Sequence, residues 1–372
     1  MKPSMIRPPS IMERRNLKAM TLREIERIIN AKGVARYRAS QFFRWLHYKG
    51  ALSFDEMTDI PRALRDAMAE YGPITRLEID KRLISKDGSI KYRFKTPAGD
   101  YIESVYIPEK NRQTICVSTQ VGCKMGCDFC LTGKMGFKRN LGTDEIVDQV
   151  RAIAADLRAM EAERTGTPQK YRSPHKGLIT NVVFMGMGEP LDNLGEVVRA
   201  VEILTHPEGY GFSHRHVTVS TVGLVPEMIK FIHEVNAKLA VSLNATTDEV
   251  RSKLMPINNK YPIQMLIDTT QQLPVKRGDR ITIEYVVIRD VNDSVMDMKR
   301  MVRLVSTFPA KINLIPYNPN PYCPYEAPSK ELMMKLLRIL VDNNVTAIIR
   351  ASKGQDVMGA CGQLATIEEG KK

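Results

Sequence analysis

The spacing of apolar residues changes twice along the chain. Between Thr21 and Gly72 apolar residues recur every three or four positions, and Gly33 ends the first of these runs; such spacing predicts short helices. From Leu77 to Pro108 shorter apolar runs flank turn sequences at Asp87-Gly88 and Pro97-Ala-Gly99, a pattern typical of hairpins. We therefore expect a small helical accessory domain followed by a strand-rich connector.

Beyond Thr114, apolar strand-like runs alternate with helical patterns. This alternation predicts an α/β fold with a parallel sheet and crossover helices, and six such units predict an incomplete (β/α)6 barrel. Thr143 is the predicted N-cap of the helix that follows the first strand. The predicted strands are Ile115–Thr119, Ile179–Met185, His216–Thr221, Leu239–Leu243, Ile281–Val287 and Ile312–Ile315, with Val345–Ile349 as a further candidate.

The loops after these strands carry the residues of chemical interest. Active sites of such barrels lie at the carboxyl ends of the strands. We therefore expect one site there, built from the segments Gly122–Cys130, Gly186–Leu191, Ser220–Gly223, Ser242–Ala245 and Pro316–Pro319.

The composition of the chain bears on where in the cell the protein works. No segment approaches the ~18 consecutive apolar residues of a membrane span, and the first residues hold no apolar signal core. The six cysteines are too sparse for a disulfide scaffold. These observations predict a cytoplasmic protein that does not enter a membrane.

Positive charge is concentrated near the N-terminus. The whole chain carries a net charge of +13, and residues 1–50 alone carry twelve Lys or Arg side chains against three Glu. This asymmetry favours a nucleic-acid partner. The aromatic residues of the segment fit either a base-stacking surface or a helical core, and the core is the better interpretation for the aromatics alone.

Three cysteines form the strongest chemical motif, Cys123-Lys-Met-Gly-Cys127-Asp-Phe-Cys130. A structural zinc site uses four ligands, whereas an iron–sulfur cube held by three thiolates leaves one iron open. The spacing resembles the signature of the radical S-adenosylmethionine (SAM) superfamily. The alternative is a set of three buried or zinc-binding thiols.

Further candidate residues lie near the other strand ends. The sequence Phe184-Met-Gly-Met-Gly-Glu-Pro-Leu191 pairs glycines, which allow close approach of a ligand, with Glu189, which can accept from an ammonium group. Cys361 has glycine neighbours that indicate a mobile, exposed thiol, and Cys116 precedes the cysteine triplet. Two thiols beside a radical site suggest covalent catalysis. Cys323 receives no role.

Taken together, six ordered motifs closely resemble the bacterial RlmN family of dual-specificity methyltransferases. Members of that family act on adenine C2 in 23S ribosomal RNA and transfer RNA. The resemblance runs from about Leu22 to Ala365. The motifs are Cys116–Cys130, Gly136–Leu141, Phe184–Leu191, Met255–Asn258, Asn313–Pro319 and Ala360–Leu364.

The resemblance implies a role for each candidate residue. Cys361 would take a methyl group from one SAM, and a second SAM would yield the radical that activates it. Glu103 would act as the base and Cys116 as the resolving thiol, leaving a Cys116–Cys361 disulfide. The [4Fe–4S] cluster would be held by Cys123, Cys127 and Cys130. The SAM site would be formed by Gly188, Glu189, Ser220, Ser242, Leu243, Asn244 and Asn318.

The predicted organisation follows from these assignments. A basic helical accessory domain, the RNA contact, spans residues 1–75, a connector 76–113, the radical SAM partial barrel 114–350, and a loop with the methyl-carrier cysteine 351–372. We expect a monomer served by an external, flavodoxin-type electron donor. One alternative is a C8-adenine methyltransferase of the antibiotic-resistance type, although Pro190 favours C2. The alternative of another class is a non-catalytic, metal-containing RNA-binding protein.

Overall fold

A computed structural model describes residues 15–166, 177–276 and 278–366 of the chain. The first part of the predicted accessory domain, residues 1–14, and the end of the predicted C-terminal loop, residues 367–372, lie outside the described residues. The helices are α1 (Leu22–Ala31), α2 (Tyr37–Phe43), α3 (Arg62–Ala69), α4 (Leu131–Lys134), α5 (Thr143–Thr165), α6 (Leu194–Thr205), α7 (Val225–Glu234), α8 (Asp248–Leu254), α9 (Ile263–Gln272), α10 (Val295–Val305) and α11 (Lys330–Asp342).

The strands form one large sheet and one small hairpin. They are β1 (Glu78–Ile84), β2 (Ile90–Lys95), β3 (Tyr101–Glu109), β4 (Arg112–Val117), β5 (Gln120–Gly122), β6 (Phe137–Asn140), β7 (Asn181–Phe184), β8 (Val217–Thr221), β9 (Lys238–Ser242), β10 (Ile281–Val287), β11 (Ala310–Pro316) and β12 (Ala347–Ile349). The large sheet has the order β1-β2-β3-β4-β7-β8-β9-β10-β11-β12, and β5 pairs with β6.

The large sheet is open, as an incomplete barrel requires. From β1 to β4 neighbouring strands are antiparallel, and from β4 to β12 they are parallel. The α/β partial barrel predicted from the sequence is therefore confirmed, with β12 as a short additional strand. Since β3 pairs with β4, the connector sheet continues into the barrel sheet without a break.

The accessory helices form because their ends are capped and their apolar faces are covered. At the start of α1 the Thr21 backbone N–H donates to the Glu24 carboxylate at 2.8 Å. The helix ends before Gly33, whose φ of +69° suits the left-handed region. Phe42 and Phe43 are buried, which confirms the core interpretation for these two aromatics, whereas Tyr37 is 57% exposed.

A buried ion pair attaches the accessory helices to α5. Lys18 Nζ donates to Asp148 Oδ1 at 2.8 Å, and Arg151 Nε donates to the same carboxylate at 2.5 Å. Burial lowers the pKa of Lys18, which Asp148 only partly offsets because Arg151 shares the carboxylate. Burial by itself would raise the pKa of Asp148, but its two cationic partners hold it at about 2.

The predicted N-cap of α5 is wrong by one residue. The N-cap is Gly142, whose backbone N–H donates to Glu145 at 2.9 Å. Thr143 is the first helical residue, and its hydroxyl donates to Glu196 on α6 at 2.5 Å. A tertiary contact thus takes the hydroxyl that the sequence assigned to capping.

The segment from Gly354 to Ala365 crosses the opening between the two edges of the sheet. Its backbone contacts the turn between β1 and β2, because the Gly354 N–H donates to Asp87 at 2.9 Å. It also contacts α4, because the Leu131 N–H donates to the Gly362 carbonyl at 2.9 Å. The segment therefore closes the side of the barrel next to the strand ends.

Within the described residues, no helix is both long enough and apolar enough to cross a membrane.

Candidate active site

The cysteine triplet lies on a tightly wound loop between β5 and α4. Gly122 has a φ of +75°, and a Cβ there would lie 1.9 Å from the carbonyl oxygen of Gly136. Only glycine therefore allows the two chain segments to approach this closely. Cys123, Cys127 and Cys130 follow on this loop, and the Cys130 N–H donates to the Cys127 carbonyl at 3.1 Å.

The three thiols suit an iron–sulfur cluster by their chemistry and position. Burial raises the pKa of Cys123 to about 12 and that of Cys127 well above its usual value, and the neighbouring cysteines raise both further. Among the residues that the structure describes, no three His, Cys, Asp or Glu side chains are placed to hold one metal ion. Three thiols on one loop, of which Cys127 and Cys130 line the same cavity, supply the donor types of a cube with one open iron. The residues present therefore fit the cluster.

A cavity of about 160 Å³ adjoins this loop. Cys127 and Cys130 line one side, and the predicted SAM-site residues line the rest. The lining includes Gly188, Glu189, Ser220, Ser242, Asn244 and Asn318. The carboxyl ends of β7, β8, β9 and β11 thus bring together residues that are far apart in the sequence.

Leu243 is an exception within this set. Its side chain is completely buried and does not line the cavity. Its N–H donates to the Glu284 carbonyl at 3.0 Å, and its own carbonyl accepts from Arg251 at 3.0 Å. The structure therefore places Leu243 behind the cavity wall.

Glu189 is held by backbone donors at the end of β7. Its carboxylate accepts from the Leu191 N–H at 3.0 Å and from the Val222 N–H at 2.9 Å. Burial raises its pKa to about 7, against the opposing effect of these hydrogen bonds. A buried carboxylate of this kind gains most from a cationic ligand, and an ammonium group supplies that charge.

Cys361 lies between two cavities. It lines the cavity of the predicted SAM site and also a second cavity of about 210 Å³ that contains Cys116. The thiol is half-buried, and the carbonyl of Cys361 accepts from the Asn318 side chain at 3.0 Å. The structure thus places this thiol at the barrel mouth, and the mobility that its glycine neighbours indicate stays a prediction.

Arg350 is the cation next to both thiols, and sequence reasoning missed it. Electrostatic interaction with Cys361 is the main cause that raises the pKa of this half-buried guanidinium, and Glu284 and Cys116 add to it. Arg350 Nη1 lies 3.8 Å from the Glu284 carboxylate. Burial raises the pKa of Cys116 to about 12, and Arg350 opposes that effect. Arg350 directly follows β12, and a cation at the carboxyl end of a strand is the sequence feature that could have identified it.

Glu103 is buried beside the segment that carries Cys361. Its carboxylate pairs with Lys91 Nζ at 2.9 Å and accepts from the Ala365 N–H at 3.0 Å. Burial raises its pKa, with Lys91 opposing. Glu103 lines neither the 160 Å³ nor the 210 Å³ cavity, so the structure places it next to the thiol segment and outside the two cavities.

Arg251 is a second residue that sequence reasoning missed. It is fully buried and donates to the carbonyls of Leu243 and Val222 and to the Asn258 side chain, at 3.0, 2.7 and 2.9 Å. Burial lowers its pKa to about 10, and Cys127 opposes this. One side chain thus fixes three loops around the cavity.

Two family models match the chain. The model described as the ribosomal RNA large subunit methyltransferase N-terminal domain matches residues 15–74. The model of the radical SAM superfamily matches residues 169–302.

Curated proteins and a solved structure match over nearly the whole chain. A dual-specificity RNA methyltransferase RlmN from an Anaeromyxobacter species is 48% identical over 96% of this chain and 92% of the relative. A protein with the same description from Geobacter sulfurreducens is 46% identical over 94% and 91%. The crystal structure of a radical SAM methyltransferase from Sphaerobacter thermophilus is 41% identical, with a TM-score of 0.82, and the match covers 94% of this chain and 98% of that chain.

Proposed function

The chain belongs to the RlmN family of dual-specificity RNA methyltransferases within the radical SAM superfamily, and on that premise we propose how its own residues perform the reaction. The enzyme methylates C2 of a specific adenine in 23S ribosomal RNA and in transfer RNA. Membership in this superfamily implies a [4Fe–4S] cluster and SAM. Cys123, Cys127 and Cys130 would hold the cluster.

The position of Cys361 is the observation that carries the proposal. This one thiol lines both the cavity beside the cysteine triplet and the cavity that contains Cys116. A methyl carrier needs access to a methyl donor on one side and to a resolving thiol on the other. No other cysteine among the described residues lines both cavities.

Cys361 acts as the methyl carrier. Its sulfur attacks the methyl carbon of a first SAM, so that an S–CH3 bond forms, the sulfonium C–S bond breaks and the thiol proton leaves. When bound, the cluster would supply the one electron needed to cleave a second SAM reductively, and would accept the one electron that the RNA adduct releases when its ring becomes aromatic again. The 5′-deoxyadenosyl radical removes one hydrogen atom from the S-methyl group, whose carbon then bonds to C2. Two SAM molecules are therefore used in each turnover.

Glu103 and Cys116 release the product. Glu103 takes the proton from C2, and the Cys116 thiolate attacks the sulfur of Cys361. An S–S bond forms and the S–CH2 bond breaks, and the methylene carbon keeps the electron pair and takes a proton to become the methyl group. Because Glu103 lies outside both cavities and is bonded to Ala365, the segment that carries Cys361 has to move before the base reaches C2.

The SAM site holds its ligand by charge and by polar strand ends. Glu189 accepts from the ammonium group. Gly188 lines the cavity beside it, and only glycine fits there because a Cβ would lie 2.5 Å from the Gln120 side chain. Asn318 and the serines at the ends of β8 and β9 bind the carboxylate and ribose. Leu243 contributes only through its backbone.

Mass spectrometry of the product tests this function. Reconstituted enzyme with methyl-labelled SAM should convert one adenosine of 23S ribosomal RNA and of transfer RNA into 2-methyladenosine. The appearance of 8-methyladenosine would assign the enzyme to the antibiotic-resistance type. RNA that binds but acquires no label would leave only a metal-containing RNA-binding protein.

The proposal also covers the domain organisation, the oligomeric state and the electron donor of the enzyme. Residues 1–75 form the basic RNA-contacting domain, 76–113 the connector, 114–350 the catalytic partial barrel, and 351–372 the loop of the carrier thiol. The enzyme works as a cytoplasmic monomer and receives electrons from a flavodoxin-type donor. Anaerobic turnover with reduced flavodoxin as the only electron source, followed by size-exclusion chromatography, tests both points.

A further inference from the structure

The barrel is hollow and polar along its axis. Inward positions alternate along each parallel strand, and at the amino ends several of them are polar where such barrels are commonly filled by branched apolar side chains. On this side the 210 Å³ cavity is lined by Thr114, Asn181, Thr218, Lys238, Thr282 and Lys311. The cavity has room for on the order of a dozen water-sized groups, which is the size of one nucleobase.

The two ends of this cavity differ in chemistry. Cys116, Cys361 and Arg350 lie at the carboxyl ends of the strands. Lys238 is the first residue of β9 and Lys311 the second residue of β11, so both lie at the opposite end. The cavity therefore connects the two thiols with the amino-terminal face of the barrel.

Four cations surround that opposite end. Lys238 and Lys311 are half-buried in the cavity, while Arg112 and Arg215 are exposed at its rim. In the part of the chain that the structure describes, Lys238, Lys311 and Arg215 form no ion pair, and only Arg112 has an acidic partner, Glu109 at 2.6 Å. We call these four residues the basic mouth.

Without a bound anion, the clustering of the four cations of the basic mouth is electrostatically unfavourable. Burial lowers the pKa of Lys311, the charges of Arg112 and Lys238 lower it further, and Glu284 opposes them. Like charges that gather in a cavity repel one another and attract a negatively charged ligand. The cavity also contains the Asn313 Oδ1 and Ser352 Oγ atoms, which are buried and have no hydrogen-bond partner within the structure. Both charge and hydrogen-bonding capacity are therefore available to a ligand.

We propose that the substrate nucleotide enters the barrel through the basic mouth, with its base inside the cavity and its backbone phosphates on Lys238, Lys311, Arg112 and Arg215. This inference rests on the proposed function and adds the route by which RNA reaches Cys361. Enzymes that modify a base extrude it from the stack into a pocket, and phosphate contacts position the chain around it. The SAM cavity occupies the carboxyl ends of the strands, so this route brings the base to the thiol from the other side.

Two features favour RNA over an acidic protein at this surface. The cavity ends at the thiols that react with RNA, whereas an electron donor needs access to the cysteine triplet. The accessory domain also contacts this side of the barrel, because Arg44 pairs with Glu208 at 3.0 Å shortly before β8 begins. The basic accessory domain and the mouth thus lie on connected parts of the surface.

The double variant Lys238→Gln/Lys311→Gln tests the route in the holoenzyme. RNA affinity should fall by about tenfold or more at physiological salt. The slope of log K against log salt should become shallower by about two, because two phosphate contacts are lost. The KM for RNA should rise. The matched control is Lys299→Gln/Lys335→Gln, two exposed lysines on α10 and α11, which should change none of these values.

A footprint on the wild-type enzyme supplies a second measurement. RNA should protect Lys238 and Lys311 from acetylation while Lys299 and Lys335 remain reactive. An RNA affinity equal to that of the control, or equal acetylation with and without RNA, would overturn the route. Unchanged RNA affinity with slower turnover on a protein reductant would assign the mouth to the reductant instead. A wild-type enzyme that methylates no RNA would refute the proposed function itself. The affinity and footprint measurements do not depend on methylation, so the two failures can be told apart.

Discussion

The backbone N–H of Ala365 donates a 3.0 Å hydrogen bond to the carboxylate of Glu103. This contact joins β3 to the segment that carries Cys361, four residues away. The same carboxylate pairs with Lys91, whose Nζ also donates to the Met358 carbonyl at 3.3 Å. The proposed base is therefore part of the attachment that holds the carrier thiol in place.

Replacing this base should stop the reaction after the RNA is attached. We expect Glu103→Gln to lower the rate of product release by about a hundredfold or more, because a general base typically contributes 10²–10⁴-fold. Methylation of Cys361 should persist. A denaturing gel of the covalent protein–RNA adduct and mass spectrometry of the Cys361 peptide measure the two steps. Normal product release would remove Glu103 from the mechanism.

Removing the resolving thiol should also trap the adduct. In Cys116→Ala no sulfur remains to attack Cys361, so the covalent protein–RNA species should accumulate while methylated RNA falls to background. Cys323→Ala is the matched control, because Cys323 is as buried as Cys116 and its thiol donates to the Asp128 carbonyl at 3.2 Å, outside the cavity that contains Cys116. Multiple turnovers by Cys116→Ala would contradict the assignment.

Glu189→Gln should weaken SAM binding. The neutral amide loses the charge-assisted interaction with the ammonium group, which is worth about 1.5–3 kcal/mol, so the Kd for SAM should rise by roughly ten- to a hundredfold. Anaerobic titration calorimetry on the reconstituted enzyme measures this. Glu249→Gln on the exposed surface of α8 serves as the control, and equal affinities in the two variants would argue against a role in SAM binding.

Lys18→Met should destabilise the fold. Removing one partner of a buried ion pair typically costs about 3–5 kcal/mol, and Lys18 and Asp148 are both almost fully buried. Because Arg151 remains beside Asp148, we expect the lower end of this range in the free energy of unfolding, measured by urea denaturation. Lys253→Met removes an exposed pair on α8 and should change stability by less than about 0.5 kcal/mol. Similar losses in both variants would contradict the importance of burial.

Acid should destabilise the protein partly through His47. Burial, with a contribution from the charge of Lys18, lowers the pKa of this imidazole from 6.5 to about 3. Below pH 6.5 the unfolded state takes up a proton that the folded state does not, so the free energy of unfolding should fall by about 1.4 kcal/mol per pH unit until pH 3. His47→Phe lacks this titration. The difference between the two pH–stability curves should grow as the pH falls from 6.5, and parallel curves would exclude His47.

Deletion of residues 1–50 is the obvious way to test the RNA contact proposed for the accessory domain. The structure makes this deletion a poor test, because it would remove Lys18 from Asp148 and expose the apolar surface beneath α1 and α2. Charge-neutralising substitutions at exposed positions of the accessory domain keep that surface covered and separate RNA affinity from folding.

The sequence by itself determined most of the architecture and predicted the chemistry. Cysteine spacing, strand-end motifs and apolar periodicity are local properties, so they indicated the cluster loop, the predicted strands and the SAM-site residues without tertiary information. Propensity failed at Thr143, where a contact with Glu196 took over the hydroxyl. Leu243 was placed behind the cavity wall because Arg251 and Glu284 bind its backbone.

Only the tertiary structure decided which distant side chains share a space. Arg350 lies next to Cys116 and Cys361 because it directly follows β12, the last strand of the parallel part of the sheet. The basic mouth exists because Lys238 and Lys311 lie at the starts of β9 and β11, the two strands that flank β10. Such neighbours depend on strand order, register and the path of the C-terminal segment. Strand order, register and that path are set by packing between residues far apart in the chain, so no local sequence pattern predicts them.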